Sequence, residues 1–305
     1  MNIFKLKKDI ILLLIILTII IISYFNFVLY GGFGSGDDIN LVLNAKNSNL
    51  GDLVKYSLVG DHADRPLSMS LINLVHYFFE DNVILYIVSS ILTWFVAVLF
   101  LGFVLLQFLN KKTFYIFLLI SPFPFFASSV FAGPYMFTQY FASILFWSIS
   151  LFFLVQYVKS KKVFTYFLGL LFLIFSFITL EYIFPLLLLT IFFPILLETS
   201  KAHIFNKELI IKFFLLYFLP IIIISLFYLI FKIYLVKLYA NYFIIYGVSA
   251  FNLKSFLQSI YFFIAIIIEI PFLLLRTIPY IFKYKLIFLA FTLLIFFFFL
   301  ISNNL

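Results

Sequence analysis

Residues 31–82 read GGFGSGDDINLVLNAKNSNLGDLVKYSLVGDHADRPLSMSLINLVHYFFEDN, a polar stretch in a chain that is otherwise mostly apolar. Hydrophobic residues make up 66% of the chain and charged residues 10%, whereas soluble domains carry about 45–50% and about 25%. Apolar runs of roughly 16–26 residues flank this stretch, and a helix needs about 20 residues to cross a bilayer. The runs do not alternate with the period of barrel strands. They predict an all-α, polytopic membrane protein.

Nine membrane spans are predicted, and they make residues 1–305 a single integral-membrane domain. Residues 31–82 form its first outer loop, and residues 83–305 supply the remaining transmembrane helices. The first apolar run is too long for the core of a signal peptide and lacks a clear cleavage site, so we interpret it as an uncleaved anchor. The spans are expected at 10–30, 83–109, 113–131, 137–158, 163–180, 183–198, 209–235, 259–281 and 286–301.

The basic residues predict how the spans are oriented, because Lys and Arg concentrate in cytoplasmic connectors. With a cytoplasmic N-terminus, the inside connectors carry twelve basic residues and the longer outside connectors carry five. The loop 31–82 is then extracytoplasmic. The orientation of the spans explains the net charge of +8. We therefore expect no nucleic-acid partner. The absence of cysteine excludes disulfides and thiolate metal sites.

The loop 31–82 is expected to contain short helices of its own. Four glycines between positions 31 and 36 make a flexible exit from the first span. From 66 to 79 an apolar stripe recurs at helical spacing, and Ser68, Asn73 and His76 occupy the other face. About 14 residues are too few to cross a bilayer, so this helix is predicted to lie in or dip into the membrane interface. The stripe consists of Leu67, Leu71, Leu74 and Phe78.

Asp37 and Asp38 are the first candidates for chemistry, because they follow the outer end of the first span. A carboxylate there can act as a general base or bind a divalent cation such as Mg or Mn. Neighbouring side chains diverge on both helices and strands, so the two carboxylates are not expected to share one role. The alternative is that one of them caps a short helix over residues 39–45 on a solvated loop.

A second group of candidates, Asp61, His62, Asp64 and Arg65, lies in the run GDHADRPLS. Arginine binds phosphate through two parallel hydrogen bonds, and free amides at a helix start also attract anions. Alternatively, Arg65 pairs with a neighbouring Asp to fix the loop, or binds lipid headgroups. His62 and His76 have no recognised zinc spacing, so we predict no zinc site.

Two further carboxylates lie near or within the spans. Glu269 interrupts the apolar run 262–275, where an acid usually faces a cavity or a partner. Arg276 follows seven residues later on roughly the same helix face, and an intramembrane Glu269–Arg276 pair is the interpretation we favour. Glu181 lies at the outer end of two spans, and faces either the cavity of Asp37 or water.

The order of these features resembles the GT-C superfamily of membrane glycosyltransferases. The matching residues are Asp37 and Asp38 in the first outside loop and the run 64–68, Asp-Arg-Pro-Leu-Ser, at the start of a short outer helix. Many close-spaced spans follow. The closest branch is that of bacterial glucosyltransferases that modify O-antigen and other surface polysaccharides. The resemblance implies a multi-pass protein of the bacterial inner or plasma membrane, in contact with membrane lipids.

The resemblance also implies a mechanism. A polyprenyl-phosphate-linked sugar in the outer leaflet would be the donor, and a glycan or lipid-linked molecule would be the acceptor. Asp37 or Asp38 would deprotonate the acceptor hydroxyl, which attacks with inversion. Arg65 and His62 would hold the donor phosphate, while the helix 66–79 would guide the lipid tail. The expected substrate cavity is lined by Asp61, Asp64, Glu181 and Glu269.

Two other classes of function remain open. The first alternative is a non-enzymatic transporter or flippase of surface-glycan intermediates, and the second is a structural or partner-binding membrane protein. A transporter usually places its polar groups near the bilayer midplane, often at broken helices. Here the polar groups concentrate in the outside loop and only Glu269 is deep, which favours chemistry at the outer face.

Overall fold

The computed structural model describes residues 3–23, 43, 46–59, 66–80, 82–120, 134–179, 186–202 and 211–238. Within these ranges the chain is helical and contains no strand, as the all-α prediction requires. A π-helical turn, Phe214–Phe218, leads directly into the last described helix. The α-helices are α1 (Ile3–Ser23), α2 (Leu50–Val59), α3 (Pro66–Phe79), α4 (Val83–Leu105), α5 (Lys111–Ile120), α6 (Pro134–Ser160), α7 (Val163–Thr179), α8 (Leu187–Ala202) and α9 (Leu219–Leu238).

Three stretches within the described residues are long and apolar enough to cross a membrane, namely Ile84–Leu105, Phe141–Ser160 and Ile211–Phe231. Three shorter apolar helices accompany them, over Asp9–Ile21, Val163–Thr179 and Leu187–Glu198. The helices α4, α6 and α7 agree within a few residues with predicted spans. The predicted spans 259–281 and 286–301 lie outside the described residues, so the number nine stays a prediction.

The helices α6 and α7 form the most extensive contact between two described helices. Their interface is lined by small residues, which let two backbones approach closely in a membrane protein. Ser150 Oγ donates a hydrogen bond of 2.7 Å to the carbonyl of Gly169, and Ser176 Oγ donates one of 2.9 Å to the carbonyl of Ser143. A Cβ atom on Gly169 would lie only 2.8 Å from Leu154 Cγ. The close contact therefore depends on glycine at position 169.

Enlarging Gly169 is expected to separate α6 from α7. Gly169→Leu should destabilise the purified protein by about 1–3 kcal/mol, the usual cost of overpacking, because Leu154 occupies the space that the new side chain needs. The measurement is thermal unfolding in detergent. The matched control is Val163→Leu on the same helix, since Val163 is 63% exposed and has room for a larger side chain. Equal unfolding temperatures for the two variants would contradict the close packing.

A second packed group joins α1, α4 and α5. Its buried side chains include Ile16, Ile91 and Leu118. At the end of this group Asp9 Oδ1 accepts hydrogen bonds from Lys111 Nζ at 2.5 Å and from Tyr115 Oη at 2.8 Å. The polar contacts hold the beginning of α1 against the beginning of α5.

The helices α8 and α9 pack on α6 and α7 through a third group of buried side chains, which includes Leu151, Phe177 and Tyr217. Trp147 Nε1 donates a hydrogen bond of 2.8 Å to Thr190 Oγ1 and so joins α6 to α8. Tyr166 Oη donates a hydrogen bond of 2.7 Å to the carbonyl of Leu216. Because a π turn disturbs the regular pattern of backbone bonds, this bond satisfies a carbonyl at the irregularity.

Candidate functional site

Two helices of the predicted outer loop, α2 and α3, pack together as a unit. Asn49 Oδ1 accepts a hydrogen bond of 2.9 Å from the Asp52 amide and so satisfies the first turn of α2. Asn73 of α3 reaches across to α2, where its Nδ2 donates to Leu53 O at 3.2 Å and to Ser57 Oγ at 2.9 Å. Asn73 and Ser57 are both buried. A buried amide that is bonded in this way holds the two helices in one relative position.

The helix α3 turns its polar face towards the protein. Ser68, Asn73 and His76 are buried together with the apolar Met69 and Ile72, and α3 contacts α4, α6 and α7 as well as α2. The predicted apolar stripe lies on the other side, where Phe78 is 67% exposed. The stripe residues Leu67, Leu71 and Leu74 are half-buried. An exposed aromatic ring at one end of a half-buried apolar stripe is suited to contact with lipid.

The end of α3 is held to the start of α4 by hydrogen bonds. His76 Nδ1 lies 2.7 Å from the carbonyl of Ile72, and this contact requires the proton on Nδ1 because a carbonyl only accepts. The His76 ring packs on the Tyr86 ring, with 5.0 Å between centroids. Tyr86 Oη in turn donates a bond of 2.7 Å to the carbonyl of Glu80. Glu80 has a φ of 49°, the left-handed conformation that often ends a helix.

The hydroxyl of Ser68, near the start of α3, is buried without a hydrogen-bond partner among the described residues. A buried hydroxyl without such a partner costs free energy. We therefore expect a partner from a bound molecule or from a segment outside the described residues. Sequence reasoning placed Ser68 on the polar face of the helix but gave it no role. The amphipathic pattern of α3 could have indicated that Ser68 faces the protein, because the opposite face carries the apolar stripe.

The site residues predicted from the sequence lie outside the described residues, so their convergence stays a prediction. Arg65 directly precedes Pro66, the first residue of α3, in the sequence. Among the described residues no group of three or more His, Asp or Glu side chains could hold a metal ion. The predicted site residues are Asp37, Asp38, Asp61, His62, Asp64, Arg65, Glu181 and Glu269.

The α2–α3 unit and the ion pair of Asp9 lie at opposite ends of α4. The α3–α4 turn precedes α4, while Lys111 follows it, and α4 has 23 residues. At about 1.5 Å per residue a helix of this length separates its two ends by about 35 Å. Glu198 forms a second ionic group, with Lys161 from the α6–α7 connector and with Lys212. Both ionic groups join connectors that the sequence predicts on the same side of the membrane.

Comparison of the chain with models of protein families, with curated proteins and with solved structures yields no match.

Proposed function

We propose that this protein is a membrane glycosyltransferase. It moves a sugar from a polyprenyl-phosphate donor to a surface glycan or lipid-linked acceptor at the outer face of a bacterial inner or plasma membrane. The observation that carries the proposal is α3, which buries the polar Ser68, Asn73 and His76 against the protein and exposes Phe78 on its apolar stripe. This helix provides apolar surface within the segment 31–82, whose sequence also holds the acidic pair and Arg65. A donor with a lipid tail and a phosphate needs an apolar surface for the tail and a cationic group for the phosphate.

The proposed reaction begins with removal of the acceptor hydroxyl proton by Asp37 or Asp38. The acceptor oxygen then bonds to the anomeric carbon with inversion, while the bond from that carbon to the phosphate oxygen breaks. The polyprenyl phosphate leaves with the electron pair and gains negative charge. Arg65, with His62, stabilises that charge through hydrogen bonds aimed at the phosphate. If the acidic pair holds Mg or Mn, the cation stabilises the same charge.

The proposed topology has nine spans, a cytoplasmic N-terminus and an extracytoplasmic loop 31–82. The distribution of basic residues supports it. The ionic contacts of Asp9 and Glu198 support its alternation of sides, because each joins segments that this topology places on one and the same side. The same topology puts α2 and α3 at the outer ends of the helices, where a donor in the outer leaflet would reach them.

The topology can be tested directly because the chain contains no cysteine. Lys46→Cys and Lys162→Cys each add a single thiol at an exposed position. A membrane-impermeant maleimide should label the first variant in intact cells and the second only after the membrane is permeabilised. Labelling of Lys162→Cys but not Lys46→Cys in intact cells would invert the topology and remove the proposed donor site from the outer face.

Arg65→Ala is expected to weaken use of the donor. A charge-assisted hydrogen bond to phosphate is worth about 1.5–3 kcal/mol, so we expect the ratio kcat/KM for the polyprenyl-phosphate sugar to fall by about 10- to 150-fold. The KM for the acceptor should change much less. The measurement is sugar transfer by purified protein in detergent with varied donor and acceptor. Unchanged dependence on the donor would exclude the phosphate role.

The same assay separates the enzyme from the alternative flippase. An enzyme forms a new glycosidic bond when donor and acceptor are mixed with protein in detergent, where no membrane separates two sides. A flippase forms no product there. Transfer by the wild-type protein therefore supports the proposal, and the absence of transfer, together with movement of the lipid-linked donor across liposomes, would replace it.

A further inference from the structure

A buried carboxylate holds two lysines at one end of the helices α6 to α9, far from the outer loop. Glu198 is only 7% exposed, and its Oε1 accepts hydrogen bonds from Lys161 Nζ and from Lys212 Nζ, the second at 3.0 Å. The two lysine side chains remain about half exposed, at 51% and 45%. One buried oxygen thus draws together two cationic groups that still face outward.

The position of Lys161 is further fixed by its backbone and by its neighbours. Lys161 follows the end of α6 with a φ of 53°, a left-handed conformation that costs a non-glycine residue about 1–2 kcal/mol. Its amide donates a bond of 2.8 Å to the carbonyl of Tyr157, and its Nζ lies 5.7 Å from the Tyr157 ring centroid. The Tyr157 ring packs on Tyr166, which bonds to the π turn. These contacts therefore restrict the position of the Lys161 ammonium group.

Among the described residues at this end, the basic charges outnumber the acidic ones. Lys161 and Lys212 share one carboxylate, the exposed Lys162 follows Lys161, and the exposed Lys159 lies two residues before it. Each ammonium has three N–H donors, so donors remain after the bonds to Glu198. Two ammonium groups that share one oxygen are close enough to bond different oxygens of a single phosphate. The shared oxygen thus keeps two cationic groups near each other.

Exposed apolar side chains follow each of the two lysines closely in the sequence. On α7, Phe164 and Phe167 are exposed, and the π turn exposes Phe214 and Leu215. In a protein that crosses a membrane these side chains face acyl chains. The cationic groups favour a phosphate, and the apolar side chains favour acyl chains. Together they favour a phospholipid, because a free phosphate makes no apolar contacts.

We propose that Lys161 and Lys212, held together by Glu198, bind the phosphate of an anionic phospholipid whose acyl chains lie along α7 and the π turn. The site is distinct from the donor site at the outer loop. It does not depend on glycosyl transfer.

Lipid retention by the purified protein tests the proposal, with native mass spectrometry as the readout. Phosphatidylglycerol and phosphatidylcholine with identical acyl chains are the probes, and only phosphatidylglycerol should be retained as a stoichiometric adduct. One lysine near an anionic headgroup contributes about a fivefold gain in affinity. Lys161→Gln with Lys212→Gln should therefore weaken phosphatidylglycerol binding by about 30-fold. Lys111→Gln removes an equally exposed lysine that is also paired with a carboxylate, and it should leave binding within about twofold of wild type.

The double variant leaves Glu198 buried and unpaired and could therefore misfold. A second variant distinguishes misfolding from loss of lipid binding. Adding Glu198→Gln removes that charge, and the triple variant should remain folded while losing the phosphatidylglycerol adduct. Equal retention of the two lipids by the wild-type protein would overturn the proposal. So would an undiminished adduct in the triple variant, or displacement of phosphatidylglycerol by millimolar inorganic phosphate, which would indicate a site for free phosphate. The wild-type comparisons decide the question even if both variants fail to fold.

Discussion

Replacing the proposed base is expected to have the largest effect on activity. Of the two variants Asp37→Asn and Asp38→Asn, one should lower the rate of sugar transfer by about 10²- to 10⁴-fold, the usual contribution of a general base. The physical reason is that an amide of the same shape cannot accept the acceptor's proton. Because neighbouring side chains diverge, the second variant should lose much less activity than the first.

The matched control for the base is Asp52→Asn in the same loop. Asp52 is exposed and its Oδ2 accepts a bond of 2.7 Å from Asn49 Nδ2, so its role is to begin α2. This variant should transfer sugar within about twofold of the wild-type rate. All three variants should insert and unfold like the wild type. Full activity in both Asp37→Asn and Asp38→Asn would exclude the acidic pair as the source of the base.

The largest effect on stability is expected when Glu198 loses both lysines. Either Lys161→Ala or Lys212→Ala alone leaves the carboxylate with one partner, and we expect each to cost about 1 kcal/mol. The double variant leaves a charge that is buried and uncompensated, for which the typical cost is about 3–5 kcal/mol. The loss should therefore exceed the sum of the single losses when unfolding is measured in detergent.

Two comparisons make the Glu198 prediction specific. Adding Glu198→Gln to the double variant should recover part of the lost stability, because the unpaired charge is removed. Lys111→Ala breaks an ion pair whose carboxylate, Asp9, is 32% exposed, and it should cost no more than about 1 kcal/mol. Strictly additive losses at Lys161 and Lys212 would show that water satisfies Glu198 and that the carboxylate is not buried in solution.

Much of the described fold follows from local sequence. Apolar length predicts α4, α6 and α7, and the helical spacing of the stripe predicts α3 over the observed Pro66–Phe79. Contacts between residues far apart in the sequence cannot be predicted from local sequence. Asp9 and Lys111 are 102 residues apart, and no periodicity in either segment indicates their contact. The π turn was likewise not predicted, because its residues are as apolar as those of the regular helix around it.

The candidate site is predictable only in part, for a related reason. The spacing within α3 places Ser68, Asn73 and His76 on one face, but spacing alone cannot tell which face meets the protein when the surroundings are lipid. Packing on α6 and α7 supplies that information. Whether Asp37 and Asp38 meet Arg65 depends on loop segments outside the described residues, so their convergence on one site remains a proposal.

The composition of the surface polysaccharide tests the central claim most directly. Polysaccharide is isolated from cells with the protein, from cells without it, and from cells complemented with wild type or with the inactive aspartate variant, and its sugars and linkages are determined by mass spectrometry. We predict one sugar substituent that disappears with the protein and returns only with the wild type. Identical glycans in all four strains would contradict a glycosyltransferase that acts on this surface.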